Sequence, residues 1–218
     1  MGWRRVVVGP ALASLAACGT AVASAPPSTV AAAPTTTTAP LPTTTTWPLS
    51  TPEVLPDDPD GYYDQPVVEI GRIAIPTLGL DDALHEGLSL DNVDLGPSHW
   101  PGTAMPGHLG NVVVAGHRVT HTHPFRHIDD LGPGDTITFT TPEGSFTYEY
   151  AASEVVTPDR VDIGTQYPAY TATLFACHPP GSARERYVAY FRMVSAPAAG
   201  QPDPATLPPF AYPDLPAA

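Results

Sequence analysis

Between Val67 and Val194 glycine and proline cut the chain into short apolar runs, and that punctuation most constrains the fold. Runs of about four to eight residues bounded by turn residues read as strands, so the segment is expected to be all-β. Val67 to Ile75 is a first strand, ended by Pro76, and Asp82 to Glu86 a second. Asn111 to Ala115 carries consecutive valines with no polar alternation, the pattern of a strand buried on both faces. Thr136 to Thr140 and Ser145 to Tyr150 flank Pro142-Glu143-Gly144 as a hairpin. Glu154 to Val156, Thr171 to Cys177 and Arg186 to Val194 bring the set to about eight strands, enough to close a small barrel. Leu90 to Leu95 is expected to form a helical turn and Ser98 to Gly110 an irregular loop. Pro124 to Leu131 spaces Phe125, Ile128 and Leu131 as a short helix does, with proline at its start.

The ends of the chain are of another kind. Of 218 residues 29 are proline, concentrated in residues 26–66 and 195–218, which leaves residues 67–194 as the expected folded domain. Residues 1–18 read as a targeting segment, with basic Arg4-Arg5 ahead of an apolar, alanine-rich stretch too short to span a bilayer. Leu15-Ala16-Ala17-Cys18 has the form of a bacterial lipobox, so Cys18 is expected to be the lipidated first residue of the mature protein. An ordinary cleavage site or an uncleaved anchor are the alternatives. Residues 19–66, rich in Thr, Pro and Ala, lack the large apolar side chains that would offset ordering entropy, and are expected to form a disordered linker. As polyproline II, at about 3.1 Å per residue, it would reach roughly 150 Å, a tether that holds a domain away from a membrane. Residues 195–218 return to proline and alanine and are expected to be mobile.

The formal net charge is -13, and all nine basic residues are arginine. An acidic chain without a basic stripe is a poor partner for nucleic acid, where phosphate neutralisation supplies most of the affinity. The absence of lysine excludes an internal isopeptide bond or a Schiff base.

With Cys18 lipidated, Cys177 is an unpaired thiol on the outside of the cell, where disulfides are the usual fate of cysteine. Catalysis is the functional explanation and an inert buried thiol the bland one. With reference pKa values of about 8.5 for a thiol and about 6.5 for an imidazole, the thiolate–imidazolium form is about 1% of the pair unless the site stabilises it. A nearby arginine would favour the thiolate and then the oxyanion of a tetrahedral intermediate. Eight histidines compete for the role of base. His178 adjoins the thiol, but neighbouring strand residues point to opposite faces. His117, after a buried strand and Gly116, is the position a rigid element would present to a cleft. His117, His121, His123 and His127, with Cys177, also raise a zinc reading, but their spacing matches no common zinc signature, so neither metal nor cofactor is expected.

The segment GNVVVAGHRVTHTHPFRHIDDLGPGDTI, followed by TLFACHPPGSARERYVAYF, resembles the sortases, cysteine transpeptidases of Gram-positive cell surfaces. The PGTAMPGHLGNVVVAGHR block is most similar to class E of actinobacteria. The resemblance spans about residues 67–194 and rests on several motifs in order. It implies a closed eight-stranded sortase-type β-barrel and a Cys-His-Arg site: Cys177 as nucleophile, His117 as acid/base and Arg186 as the oxyanion-stabilising arginine, with Arg184 its rival on strand parity. It also implies cleavage between Thr and Gly of a C-terminal sorting signal, Leu-Ala-x-Thr-Gly or Leu-Pro-x-Thr-Gly, on surface proteins. The acceptor would be a peptidoglycan cross-bridge amine or a pilin lysine, at the outer face of the membrane. Two departures stand out: Ala176 replaces the threonine usual before the cysteine, and a lipobox stands where a hydrophobic helix is usual. A secreted cysteine hydrolase and a non-catalytic lipoprotein barrel remain the other readings.

Overall fold

The computed structural model describes residues 48–56 and 61–212. The targeting segment with Cys18, and the greater part of the Thr/Pro linker, lie outside the described residues. Strands β1 (Val68–Ile75), β2 (Leu80–Glu86), β3 (Ser98–His99), β4 (Gly110–Ala115), β5 (Thr136–Thr141), β6 (Gly144–Val156), β7 (Tyr170–His178) and β8 (Glu185–Met193) close a barrel in the order β1-β2-β3-β4-β7-β8-β6-β5. One α-turn, α1 (Leu90–Val93), and short 3-10 turns fill the connections.

The closed eight-stranded all-β barrel is as expected, with two exchanges among its strands. Ser145–Tyr150 and Glu154–Val156 are one strand, β6, carried past small Ala151 and Ala152 by a register shift between Tyr150 and Ala152. Ser98 and His99, expected in a loop, pair instead with β2 and β4. Among Pro124 to Leu131 only Ile128–Asp130 is helical, and it is 3-10, preceded by turns. Spacing by three is the period of a 3-10 helix, and Phe125, Ile128 and Leu131 are all buried.

Two apolar clusters hold the barrel. Ile73, Ile75, Val112, Val114, Phe139, Tyr148, Leu174 and Phe191 fill the interior. Trp100, Val113, Ile163, Val188, Tyr190 and Tyr212 form a second cluster. Alternate valines of β4 therefore enter different clusters, which is why all six of its residues are buried and why its sequence shows no alternation. Each buried valine contributes about 1.5–3 kcal/mol relative to exposure.

Both flanks pack more than their composition suggests. Glu53 O accepts a hydrogen bond from Trp100 Nε1 (2.9 Å), Gly61 O accepts from the Leu90 amide (2.8 Å), and Gln65 Oε1 accepts from the Ser89 amide (2.9 Å). Beyond Val194, Ala198 is buried and the Tyr212 hydroxyl donates to Phe191 O at 2.5 Å. A few aromatic residues, with Arg192 over the Phe210 and Tyr212 rings, anchor a tail that proline and alanine counts describe as mobile. No helix among the described residues is long and apolar enough to cross a membrane.

Candidate active site

The one long parallel pairing in the barrel builds the site. β4 and β7 run side by side from Gly110↔Tyr170 to Ala115↔Phe175, so both reach the same rim, where β4 ends and β7 runs on to His178. The residues that follow are Gly116-His117 on one strand and Ala176-Cys177 on the other. β8 returns antiparallel to β7 with Cys177 opposite Arg186. His117, 60 residues before Cys177, is thereby brought to the edge that Cys177 and Arg186 share.

Gly116 is a packing requirement at this edge. A Cβ there would meet the Phe125 ring at 2.6 Å, so the chain turns toward His117 only if the residue has no side chain. The Phe125 amide donates to His117 O (3.1 Å), which fixes the backbone of the histidine against the same ring.

A cleft of about 640 Å³ opens over this rim. His117, Cys177 and Arg186 line it, together with the apolar side chains of Leu55, Leu88 and Leu90. Cys177 is a free, half-buried thiol. Arg186 Nη1 donates to Ala183 O (2.9 Å) and Glu185 O (3.0 Å), which steers the guanidinium along the turn before β8. Arg184, its rival on parity, precedes β8 in that turn, is exposed and does not line the cleft. Ala176 is buried in the barrel interior, so a hydroxyl at that position would face the core and not the cleft.

Several contacts here are invisible in the sequence. Asp94, at the C-terminal end of α1, accepts a hydrogen bond from His117 Nε2 (2.6 Å) on one oxygen, and His121 Nδ1 lies 3.0 Å from the same oxygen at ion-pair distance. Tyr62 donates to its other oxygen at 3.0 Å. These ligand-type atoms of Asp94, His117 and His121 lie within 4.8 Å of one another, an arrangement that suits a metal ion. The His117-to-His127 cluster with Cys177 is thus not gathered as a whole. His123 Nδ1 bonds His121 O (2.9 Å) and His127 faces Asp130 on the surface. Of the remaining histidines, His99 is buried against Glu86 (2.7 Å) and is structural.

Arg118, the residue after His117, is the second hidden element. Its side chain is buried, with Nη1 at 2.6 Å from His178 Nδ1 and Nη2 at 2.5 Å from Asp129 Oδ1. The guanidinium lies 5.8 Å from the Tyr187 ring centre. It therefore ties the residue after His117 to the residue after Cys177. Burial pushes the Asp129 carboxyl up, but its hydrogen bond to Arg118, its own backbone amide and the Arg118 charge together outweigh this and hold it below the usual range. Neither Asp94 nor the burial of Arg118 has a spacing signal, because Asp94 meets His117 only through the packing of α1 on the rim.

A family model described as Sortase domain matches residues 73–194. The chain belongs to the sortase family. Sortase D of Bacillus subtilis is 30% identical over 129 residues, covering 57% of this chain and 64% of that protein. Sortase SrtE1 of Streptomyces coelicolor is 35% identical over 136 residues, covering 55% of this chain and 39% of that protein. The matched part of this sortase thus spans less than two thirds of either curated relative. Among solved structures, a Clostridium perfringens Sortase D5 transpeptidase superposes with TM-score 0.54 at 32% identity, covering 58% of this chain and 79% of that one. Sortase A from Corynebacterium diphtheriae does so with TM-score 0.56 at 25% identity, covering 60% of this chain and 62% of that one.

Proposed function

We propose that this sortase is a cysteine transpeptidase acting on surface proteins outside the cytoplasm. The observation that carries the reading is the convergence of Cys177, Arg186 and His117 on one cleft, with Cys177 and Arg186 directly opposed across β7 and β8. Cys177 attacks the carbonyl of threonine in a Leu-Ala-x-Thr-Gly or Leu-Pro-x-Thr-Gly signal. Arg186 stabilises the oxyanion, with five donors in a fixed fork and a charge that neutral pH does not remove. His117 protonates the departing glycine amine, and the acyl group stays on sulfur as a thioester. An incoming amine then attacks the thioester, His117 takes its proton and Cys177 leaves as thiolate. Asp94 holds His117 Nε2, which leaves Nδ1 as the nitrogen for the thiol while that contact lasts.

The apolar wall of Leu55, Leu88 and Leu90 offers a place for the leucine of the signal. The acceptor is a peptidoglycan cross-bridge amine or a pilin lysine, and the enzyme is held at the membrane through lipidated Cys18 or its N-terminal segment. Incubation with both peptides and triglycine, read by mass spectrometry, tests the reading. Transfer of the acyl fragment to triglycine, abolished by Cys177→Ala, is expected. Release of the fragment to water alone, at any amine concentration, would make the enzyme a hydrolase, and no cleavage by a folded domain would remove the catalytic reading.

A further inference from the structure

The described contacts of His117 join it to a carboxylate and, through that carboxylate, to a second imidazole. His117 Nε2 and His121 Nδ1 both lie close to Asp94 Oδ1, at 2.6 and 3.0 Å. The three residues come from separate places: the end of α1, the exit of β4, and the loop leading to Pro124. His121 holds its place in that loop with a φ of 52°, in the left-handed region that few side chains adopt. Its ring faces that of His117, with centroids 5.1 Å apart.

The geometry points to a zinc site formed by Asp94, His117 and His121 that takes the acid/base histidine out of use and shuts this sortase off reversibly. The shut-off rests on the reading of His117 as the acid/base, whereas the metal site itself does not. Two imidazole nitrogens and one carboxylate oxygen are a donor set for zinc or a similar transition metal, not for calcium or magnesium, which take oxygen ligands. Zinc bonds of about 2.0–2.2 Å in tetrahedral geometry set ligand atoms about 3.3 Å apart. Taking up an ion therefore asks each of these nitrogens to move away from Asp94 Oδ1 by less than about 1 Å. Tyr62, bonded to the far oxygen of Asp94, orients the carboxylate as outer-shell partners of metal ligands do. Access is provided by His121, whose side chain is 48% exposed while those of His117 and Asp94 are 16% and 20% exposed. With zinc bound, the Nε2 lone pair of His117 is in the metal bond and the ring is pinned to two anchored neighbours. Its proton then sits on Nδ1, the nitrogen left for the thiol, so the ring has no lone pair with which to take a proton from Cys177 or an incoming amine. The three residues fill three positions of a tetrahedral ion and leave the fourth for water.

The test uses the full-length chain, purified in detergent and stripped of metal by a chelator. Zinc is titrated in competition with a chromophoric chelator, and cobalt(II) serves as an independent probe through its intense tetrahedral absorption bands. One ion per chain is expected. Asp94→Ala and His121→Ala should each weaken binding by at least about tenfold, since loss of even an outer-shell partner costs about that much. His123→Ala should bind as the wild type does. Cleavage of the sorting peptide should fall along the same zinc curve, and the ratio of rates with and without zinc should approach one in His121→Ala. The site is overturned if no stoichiometric zinc binds, or if binding survives in His121→Ala and is lost in Cys177→Ala. Undiminished cleavage at saturating zinc overturns the shut-off. Zinc binding with the expected variant pattern, in a stripped chain that cleaves no peptide, upholds the metal site and removes the transpeptidase reading instead.

Discussion

Arg118→Ala is expected to be among the most damaging single changes outside the cleft's reacting groups. The guanidinium is buried and makes charge-assisted contacts with His178 at 2.6 Å and Asp129 at 2.5 Å. Hydrogen bonds to charged groups contribute about 1.5–3 kcal/mol each. Asp129 is 44% exposed, so water screens its share toward the about 0–1 kcal/mol of surface pairs. Adding the packing of the arginine stem against Tyr187, the loss comes to about 2–4 kcal/mol. For a domain of this size that lowers the Tm by roughly 5–15 °C, measured by far-ultraviolet circular dichroism at neutral pH. Arg118→Met, which keeps the stem, should fall between wild type and Arg118→Ala. The pH dependence has a definite sign. Asp129 has its folded pKa held below its unfolded value of about 3.9. Its contribution is therefore complete above the ordinary carboxylate range and fades as pH falls through the folded value. The gap in Tm between wild type and Arg118→Ala should thus narrow in acid. A Tm drop below about 2 °C at neutral pH would refute the argument that Arg118 locks the two strand exits together.

Gly116→Ala forces a methyl into the Phe125 ring and should destabilise the barrel by about 1–3 kcal/mol, with partial recovery in Gly116→Ala/Phe125→Leu, read by urea unfolding. Tyr212→Ala removes the anchor of the C-terminal tail, and a loss of about 2–4 kcal/mol is expected in the same assay, against near neutrality if the tail is only draped on the barrel. Arg186→Lys keeps the charge but loses the guanidinium fork. It should lower kcat for peptide cleavage by about 10- to 1000-fold with little change in KM, and an equal rise in KM instead would mean that Arg186 only binds substrate.

Most of the barrel is legible in the sequence because buried strands and turn residues act locally. The valines of β4 and the Pro142-Glu143-Gly144 hairpin need no tertiary information to be recognised. Ser98–His99 is too short for any pattern and becomes a strand only because β2 and β4 flank it. The single strand β6 escapes detection because Ala151 and Ala152, at its register shift, carry no strand signal. At the site, Cys177, His117 and Arg186 each end or begin an apolar run, so their positions could be read. Asp94 could not, since it faces His117 across a gap of 23 residues that only the packing of α1 closes. Nothing in the sequence around Arg118 marks it as the residue that Asp129 and His178 enclose. The tail after Val194 has the composition of a linker, but one tyrosine hydroxyl and two aromatic rings at the right distance suffice to hold its described part, up to Tyr212.

The central claim is that Cys177 carries the acyl group, and the most direct measurement is the mass of the intact protein after exposure to a sorting peptide without an acceptor amine. The account predicts a species heavier by the peptide fragment ending in threonine, mapped by digestion to Cys177, discharged on adding triglycine and absent in Cys177→Ala. A folded protein that turns over the peptide while Cys177 never acquires that mass, or that turns it over unchanged in Cys177→Ala, would contradict it.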